Sequence, residues 1–115
     1  MERSRRVEQH LPLSNLTFHV MVALGSGVSH GYAIGKEVEE RSGGRLSPTT
    51  GALYQVLRRL QEDGLAEEAP RPRDGNDDAR RRYYRLTARG RAVAAAEAQR
   101  LDALVAAARA KRLVG

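Results

Sequence analysis

Hydrophobic positions along this chain recur at helical spacing in its first half, alternate briefly in its middle and return to helical spacing at its end. Leu13, Leu16, Val20 and Leu24 share one face of a helix that Pro12 introduces and that closes near Gly25-Ser26-Gly27. A second helix is expected from about His30-Gly31, through Ile34 and Val38, to a stop at Gly43-Gly44. After a short connection comes a third. Leu53, Val56, Leu57 and Leu60 line one side of it, while Gly51, Gln55 and Arg58 project from the other and Arg59 flanks them. Ser47 is its expected N-cap, because a serine hydroxyl can accept a bond from an orphan amide. Pro48 suits the first helical position, where no amide donor is needed. Gly64, just after Asp63, supplies a left-handed stop.

Beyond Gly64 the period shortens to two. Leu65-Ala66-Glu67-Glu68-Ala69 predicts a short strand and Arg82-Tyr83-Tyr84-Arg85-Leu86 a better one, with Tyr84 and Leu86 inward and Tyr83 and Arg85 outward. The segment between them, 70–81, is polar and full of turn formers. Two short strands joined by an arginine-rich loop, directly after the third helix, predict a wing. The expected fold class is mainly α with a small two-stranded β wing, a winged helix-turn-helix followed by a long C-terminal helix.

That last helix is expected to start after Thr87 as N-cap and to run to about Leu113; alanine, frequent from Ala92 to Ala98, has the best helix propensity. Leu101, Leu104, Val105 and Ala108 form an i, i+3, i+4, i+7 stripe. The three-helix body is already closed, so the stripe is expected to pack on a partner subunit, with folding back onto its own domain as the alternative. The expected division is a flexible N-terminal arm over 1–10, a winged-helix DNA-binding domain over 11–86 and a dimerisation helix over 87–115.

Charge sharpens this picture. Twenty basic residues against fourteen acidic ones give a formal net charge of +6 in 115 residues, and Lys36 and Lys111 are the only lysines. Arginine suits phosphate and guanine because its planar fork bonds bidentately. On the third helix, Gln55 and Arg58 can reach base edges or phosphates, and Gly51 lets a duplex press close. Other chemistries find less support. The chain has no cysteine, which excludes disulfides, thiolate metal sites and thiol catalysis. No apolar run approaches the roughly 20 residues needed to span a bilayer. The basic start, Met1 to Val7, is not followed by a hydrophobic core, so no secretory signal is expected. The expected compartment is the cytoplasm, with no membrane partner. His10, His19 and His30 lack the i, i+4 spacing of a helical zinc motif. Gly25-Ser26-Gly27 lacks the ending of a phosphate loop, and nothing beside Glu67 and Glu68 supplies a nucleophile. No metal, cofactor or enzymatic activity is expected.

Four short motifs, in order, carry a resemblance: Leu11-Pro12-Leu13; His30-Gly31-Tyr32-Ala33-Ile34; the block from Ser47 to Gly64; and Arg82-Tyr83-Tyr84-Arg85-Leu86-Thr87 with Gly90 a turn later. Over roughly Leu11 to Lys111 the chain resembles the PadR-like transcriptional regulators (phenolic-acid decarboxylase regulators), in particular the short members with a single C-terminal helix. The resemblance implies a homodimer on an inverted-repeat DNA operator, repressing transcription, with the C-terminal helix packed against the N-terminal one. It places Ser47, Thr49, Thr50, Gly51, Tyr54, Gln55, Arg58 and Arg59 at the major groove or its phosphates. Arg80, Arg81 and Arg82, with Arg71 and Arg73, approach the backbone or minor groove. Leu13, Leu16 and Val20 with Leu101, Leu104, Val105 and Ala108 form the dimer interface. It also implies a small apolar effector lodged there. Two departures stand out: the chain has no tryptophan to stack on a flat drug at that interface, and Asp74, Asp77 and Asp78 at the wing tip are repelled by phosphate.

Tyr54 can bond a phosphate or complete the core, and Arg59 can meet DNA or pair with an acid; Tyr32 and Tyr84 are expected as core or packing residues rather than contacts. Two rival readings accompany the regulator: a winged-helix protein-interaction module, and non-specific nucleic-acid binding, although exposed aromatic platforms for stacked bases are lacking.

Overall fold

The first long helix in the computed structural model, which describes residues 6–72 and 81–114, is α1, Asn15–Ala23. It begins later than Pro12 suggests. The reason is Ser14, whose side chain accepts the amide of Thr17 at 3.1 Å and so caps the helix there. A 3-10 turn, Leu24–Ser26, follows, then a two-residue strand β1, Ser29–His30, which is too short to leave a periodic signal. Upstream of α1, residues 6–8 form a helical turn within the segment expected as an arm, and Val7 packs against the core.

Helix α2, Gly31–Arg41, starts where its sequence predicts. His30 is its cap, with Nδ1 accepting the amide of Ala33 at 3.2 Å. Helix α3 is Thr50–Glu62, and here the expected cap is wrong. Thr49, not Ser47, accepts the amide of Ala52, at 3.1 Å. The Ser47 hydroxyl instead donates to the Glu39 carboxylate at 3.1 Å, which leaves Pro48 ahead of the helix rather than in its first turn. The end of α3 is as expected. Gly64 adopts φ 74°, its amide donates to the Gln61 carbonyl, and the Leu65 amide reaches back to Leu60 at 2.8 Å. These two bonds satisfy orphan carbonyls of the last turn, and the left-handed residue between them favours glycine.

Strands β2, Ala66–Ala69, and β3, Tyr83–Leu86, pair antiparallel with Ala66 opposite Leu86 and Ala69 opposite Tyr83. The sheet has three strands rather than the expected two. β1 pairs with the other edge of β3, Ser29 opposite Tyr84 and His30 opposite Tyr83, in the order β1-β3-β2. This corrects the orientation of Tyr83. It was expected to face solvent, yet it is buried like Tyr84, because His30 of β1 covers it edge-on at 5.4 Å between ring centroids. Arg85 faces outward and pairs across the strands with Glu67 at 2.7 Å.

The core joins Val20, Met21 and Leu24 to Ile34 and Val38 of α2, the three leucines Leu53, Leu57 and Leu60 of α3, and Leu65, Tyr84 and Leu86 of the sheet. Each leucine so buried contributes about 1.5–3 kcal/mol of transfer free energy. Helix α4, Ala88–Ala110, is capped by Thr87, which accepts the Gly90 amide at 3.0 Å. Its first ten residues complete the core through Val93, and the rest projects from the body. No helix among the described residues is long and apolar enough to cross a membrane.

Candidate nucleic-acid interface

The α2–turn–α3 arrangement sets one side of α3 into the core and the other into solvent. Leu53, Leu57 and Leu60 are buried and Val56 half-buried; Thr50, Gly51, Gln55 and Arg58 are exposed, as is Thr49 at the cap. Among the described residues, neither Gln55 nor Arg58 has a side-chain hydrogen-bond or ion-pair partner. Arg59 does: its Nε lies 3.3 Å from the Asp63 carboxylate one turn on, and it remains largely exposed. Ser47 is exposed at the entrance to the helix and held by Glu39. At Gly51 an added Cβ would meet nothing within 4 Å, so no neighbour in the chain requires glycine there.

Tyr54 lies between the body and solvent. Its hydroxyl would lie 2.7 Å from a Cβ placed on Gly31, so the phenol leans on the start of α2, while 37% of the residue stays accessible. Glycine at 31 is thus a steric necessity for that contact. A cleft of about 440 Å³ opens beside it, lined in part by Tyr32, Lys36, Thr50 and Tyr54. The buried Tyr84 phenol is pushed above its ordinary pKa, first by desolvation and then by the neighbouring Tyr54 and Glu68, so it stays neutral at physiological pH.

Of the two expected places for Tyr32, core or packing, the core is excluded: the residue is 68% exposed. Its ring stacks on His30 at 6.5 Å, and the Arg81 guanidinium sits 6.0 Å from its centroid. Helical spacing carried the signal: position 32 lies about 200° around the axis from Ile34, on the opposite face. Arg81 also lies 3.1 Å from His30 Nε2, tying the base of the wing to the cap of α2. Arg82 is exposed and 3.9 Å from Glu68. Arg71 is exposed just beyond the end of β2. Arg73, Arg80 and the three aspartates Asp74, Asp77 and Asp78 lie outside the described residues. The structure therefore gathers the exposed face of α3, the start of α2 and the wing base, with Arg81 and Arg82, on contiguous surface. No group of three or more His, Cys, Asp or Glu side chains placed to hold a metal occurs among the described residues.

The expected dimer residues divide. Leu104 and Val105 are 60% and 42% exposed, and Leu101 and Ala108 are half-buried beside them. Leu13 and Leu16 are half-buried near α1. Val20 was expected at the interface, but it is 0% exposed within the protomer's own core and has no surface left for a partner.

A three-helix body with α3 outward, closed by an antiparallel sheet and extended by a long terminal helix, is a winged helix-turn-helix protein. Residues 20–96 match the model of the Transcriptional regulator PadR-like family, and the chain belongs to that family. It is similar to the transcriptional regulator Rv3488 of Mycobacterium tuberculosis, 36% identical over 86 residues that cover 75% of each protein. It is also 39% identical over 85 residues to an uncharacterised 37.1 kDa protein in transposon TN4556 of Streptomyces fradiae, covering 74% of this chain and only 22% of that longer protein. The fold is that of a PadR family transcription regulator from Clostridium difficile, with TM-score 0.70, 22% identity and coverage of 82% and 94% of the two chains. It is also that of Bacillus subtilis PadR in complex with operator DNA, with TM-score 0.55, 22% identity and coverage of 70% and 44%.

Proposed function

We propose that this chain is a sequence-specific DNA-binding repressor that works as a homodimer on an inverted-repeat operator. The observation that carries the proposal is the outer face of α3, where Gln55 and Arg58 are exposed with no side-chain partner among the described residues and Gly51 leaves room for close approach. Groups whose donors are unengaged in the free protein can form bidentate bonds to base edges without first breaking internal ones. Arg81 and Arg82 at the wing base, with Thr49 and Thr50 at the helix start, supply the salt-sensitive phosphate contacts that set register. Bacillus subtilis PadR, which shares this fold, was crystallised in complex with operator DNA, in keeping with this reading.

The exposed stripe of α4 supports the homodimer, since Leu104 and Val105 otherwise present apolar surface to water. Two α3 helices related by a two-fold axis then enter major grooves about one helical turn apart, or a multiple of it. A small apolar effector between the first and last helices of the dimer would change that separation and release DNA. A panel of phenolics and cationic drugs that moves neither the melting temperature nor operator occupancy counts against this regulation.

Selection from random duplexes, followed by gel shift, tests the whole. Enrichment of an inverted repeat that survives excess random DNA is expected. Uniform binding erased by salt points instead to a non-specific binder, and no binding at all to a protein-interaction module. Within the selected operator, Arg58→Ala is expected to lose about 1–3 kcal/mol and relax preference at one position; parent-like affinity removes Arg58 from the interface.

A further inference from the structure

Glu97 is a charged residue only 1% exposed, and nothing in the proposed DNA face involves it. Its Oε2 accepts the backbone amide of Leu13, 84 residues away in sequence, and its Oε1 pairs with Nε of Arg100 one turn on. We infer that Glu97 is a positioning residue that sets the angle at which α4 leaves the body, and with it the separation of the two recognition helices; this rests on the homodimeric reading above.

The geometry is that of a rod held at two points. The buried positions of α4 are Gly90, Val93 and Glu97; residues 102–107 are all exposed. At Gly90 the helix backbone presses so closely on the body that a Cβ would lie 1.9 Å from the Leu65 carbonyl oxygen. Seven residues later, about 10 Å along the axis, comes the Glu97 bond to Leu13. Two contacts at that spacing define a direction. The first is backbone on backbone and leaves no play. The second hangs on one side chain, whose rotamer Arg100 restrains from the next turn.

Burying a carboxylate is costly unless hydrogen bonds satisfy it, so an apolar residue would serve plain packing better. What the carboxylate adds is direction, because an amide bond specifies an angle that a methyl contact does not. Its donor, Leu13, lies next to Ser14, the cap of α1. The bond therefore ties together the two helices expected at the subunit interface. Leverage is large. From Glu97 to Ala108 is about 16 Å of helix, so a tilt of about 10° displaces the tip by about 3 Å. That is close to one base-pair step of about 3.4 Å.

The absence of cysteine permits a direct test. A single Gln61→Cys, exposed near the end of α3, carries one spin label per copy, and pulsed electron paramagnetic resonance reads the distance across the dimer without DNA. Glu97→Gln keeps an acceptor for the Leu13 amide, whereas Glu97→Met fills similar volume with none. A single narrow distance is expected for the parent and for Glu97→Gln. For Glu97→Met the distance should broaden or move by about one base-pair step, and selection should return the same half-site with relaxed spacing. A purely structural role would lower the melting temperature of Glu97→Met and leave distance and spacing as in the parent; that result overturns the inference. Should Glu97→Met not fold, Arg100→Ala is read in its place, with partial broadening expected and an unchanged distance overturning the inference equally. No inter-copy distance in the parent overturns the homodimer and this assignment together. A narrow parent distance without any selected repeat overturns the DNA reading alone.

Discussion

Helices α3 and α4 both carry leucine stripes at helical spacing, yet only one of them is covered. Leu53, Leu57 and Leu60 of α3 are at most 5% exposed, while Leu104 of α4 is 60% exposed. The two stripes are alike in sequence, so the difference lies in what stands opposite. Three elements of the same chain, α1, α2 and β2, close over α3. Past Glu97 no element among the described residues covers α4, and residues 102–107 are exposed. A pattern of hydrophobic residues states that a face will be buried, but not whether the covering surface belongs to the same copy.

The comparison breaks most severely at the point where α4 is still part of the body. Gly90→Ala drives a Cβ into the Leu65 carbonyl, a backbone atom that cannot swing aside. A loss above about 4 kcal/mol, the range reserved for a named steric or packing failure, is expected in thermal or denaturant unfolding. Beyond Glu97 the same helix should tolerate change in the protomer and not in the proposed homodimer. Leu104→Glu is expected to leave dilute-protein unfolding within about 0.5 kcal/mol of the parent, because the site is exposed. It should weaken self-association, read by sedimentation, by about 2–4 kcal/mol, since two copies each lose an apolar anchor and gain a charge. Association as tight as the parent's would place the subunit contact elsewhere.

The smallest effect contrasts the two sides of α3. Gly51→Ala fills open space, so the folded protein should gain about 0.4–1 kcal/mol by restricting the unfolded chain. Operator affinity should fall at the same time if DNA occupies that space. A variant that is more stable and binds as well as the parent would show that α3 approaches the duplex by another edge.

Much of this architecture was legible because its signals are local. The Gly64 stop, the Thr87 cap and the buried side of α3 each depend on residues within a turn or two, and each stands where spacing puts it. The exposed face of α3 was legible for the same reason, as the complement of its apolar stripe. Local competition explains the first misses. Ser14 outranks Pro12 as the start of α1 because it caps an amide, and Thr49 displaces Ser47 because the serine hydroxyl is engaged by Glu39 from the preceding helix.

The sequence by itself determined the order and faces of the helices, the arginine-rich charge balance and the strand–loop–strand character of the wing. These follow from periodicity and backbone propensity, which act over a few residues. Tertiary structure alone decided that Tyr83 lies inside, through the pairing of β1 with β3 and the edge-on cover of His30. It also decided that Val20 belongs to the protomer's core rather than its surface, and that Glu97 accepts an amide from 84 residues away. Those outcomes depend on contacts between segments far apart in the chain, and a period measured along one helix holds no information about what will lie across from it.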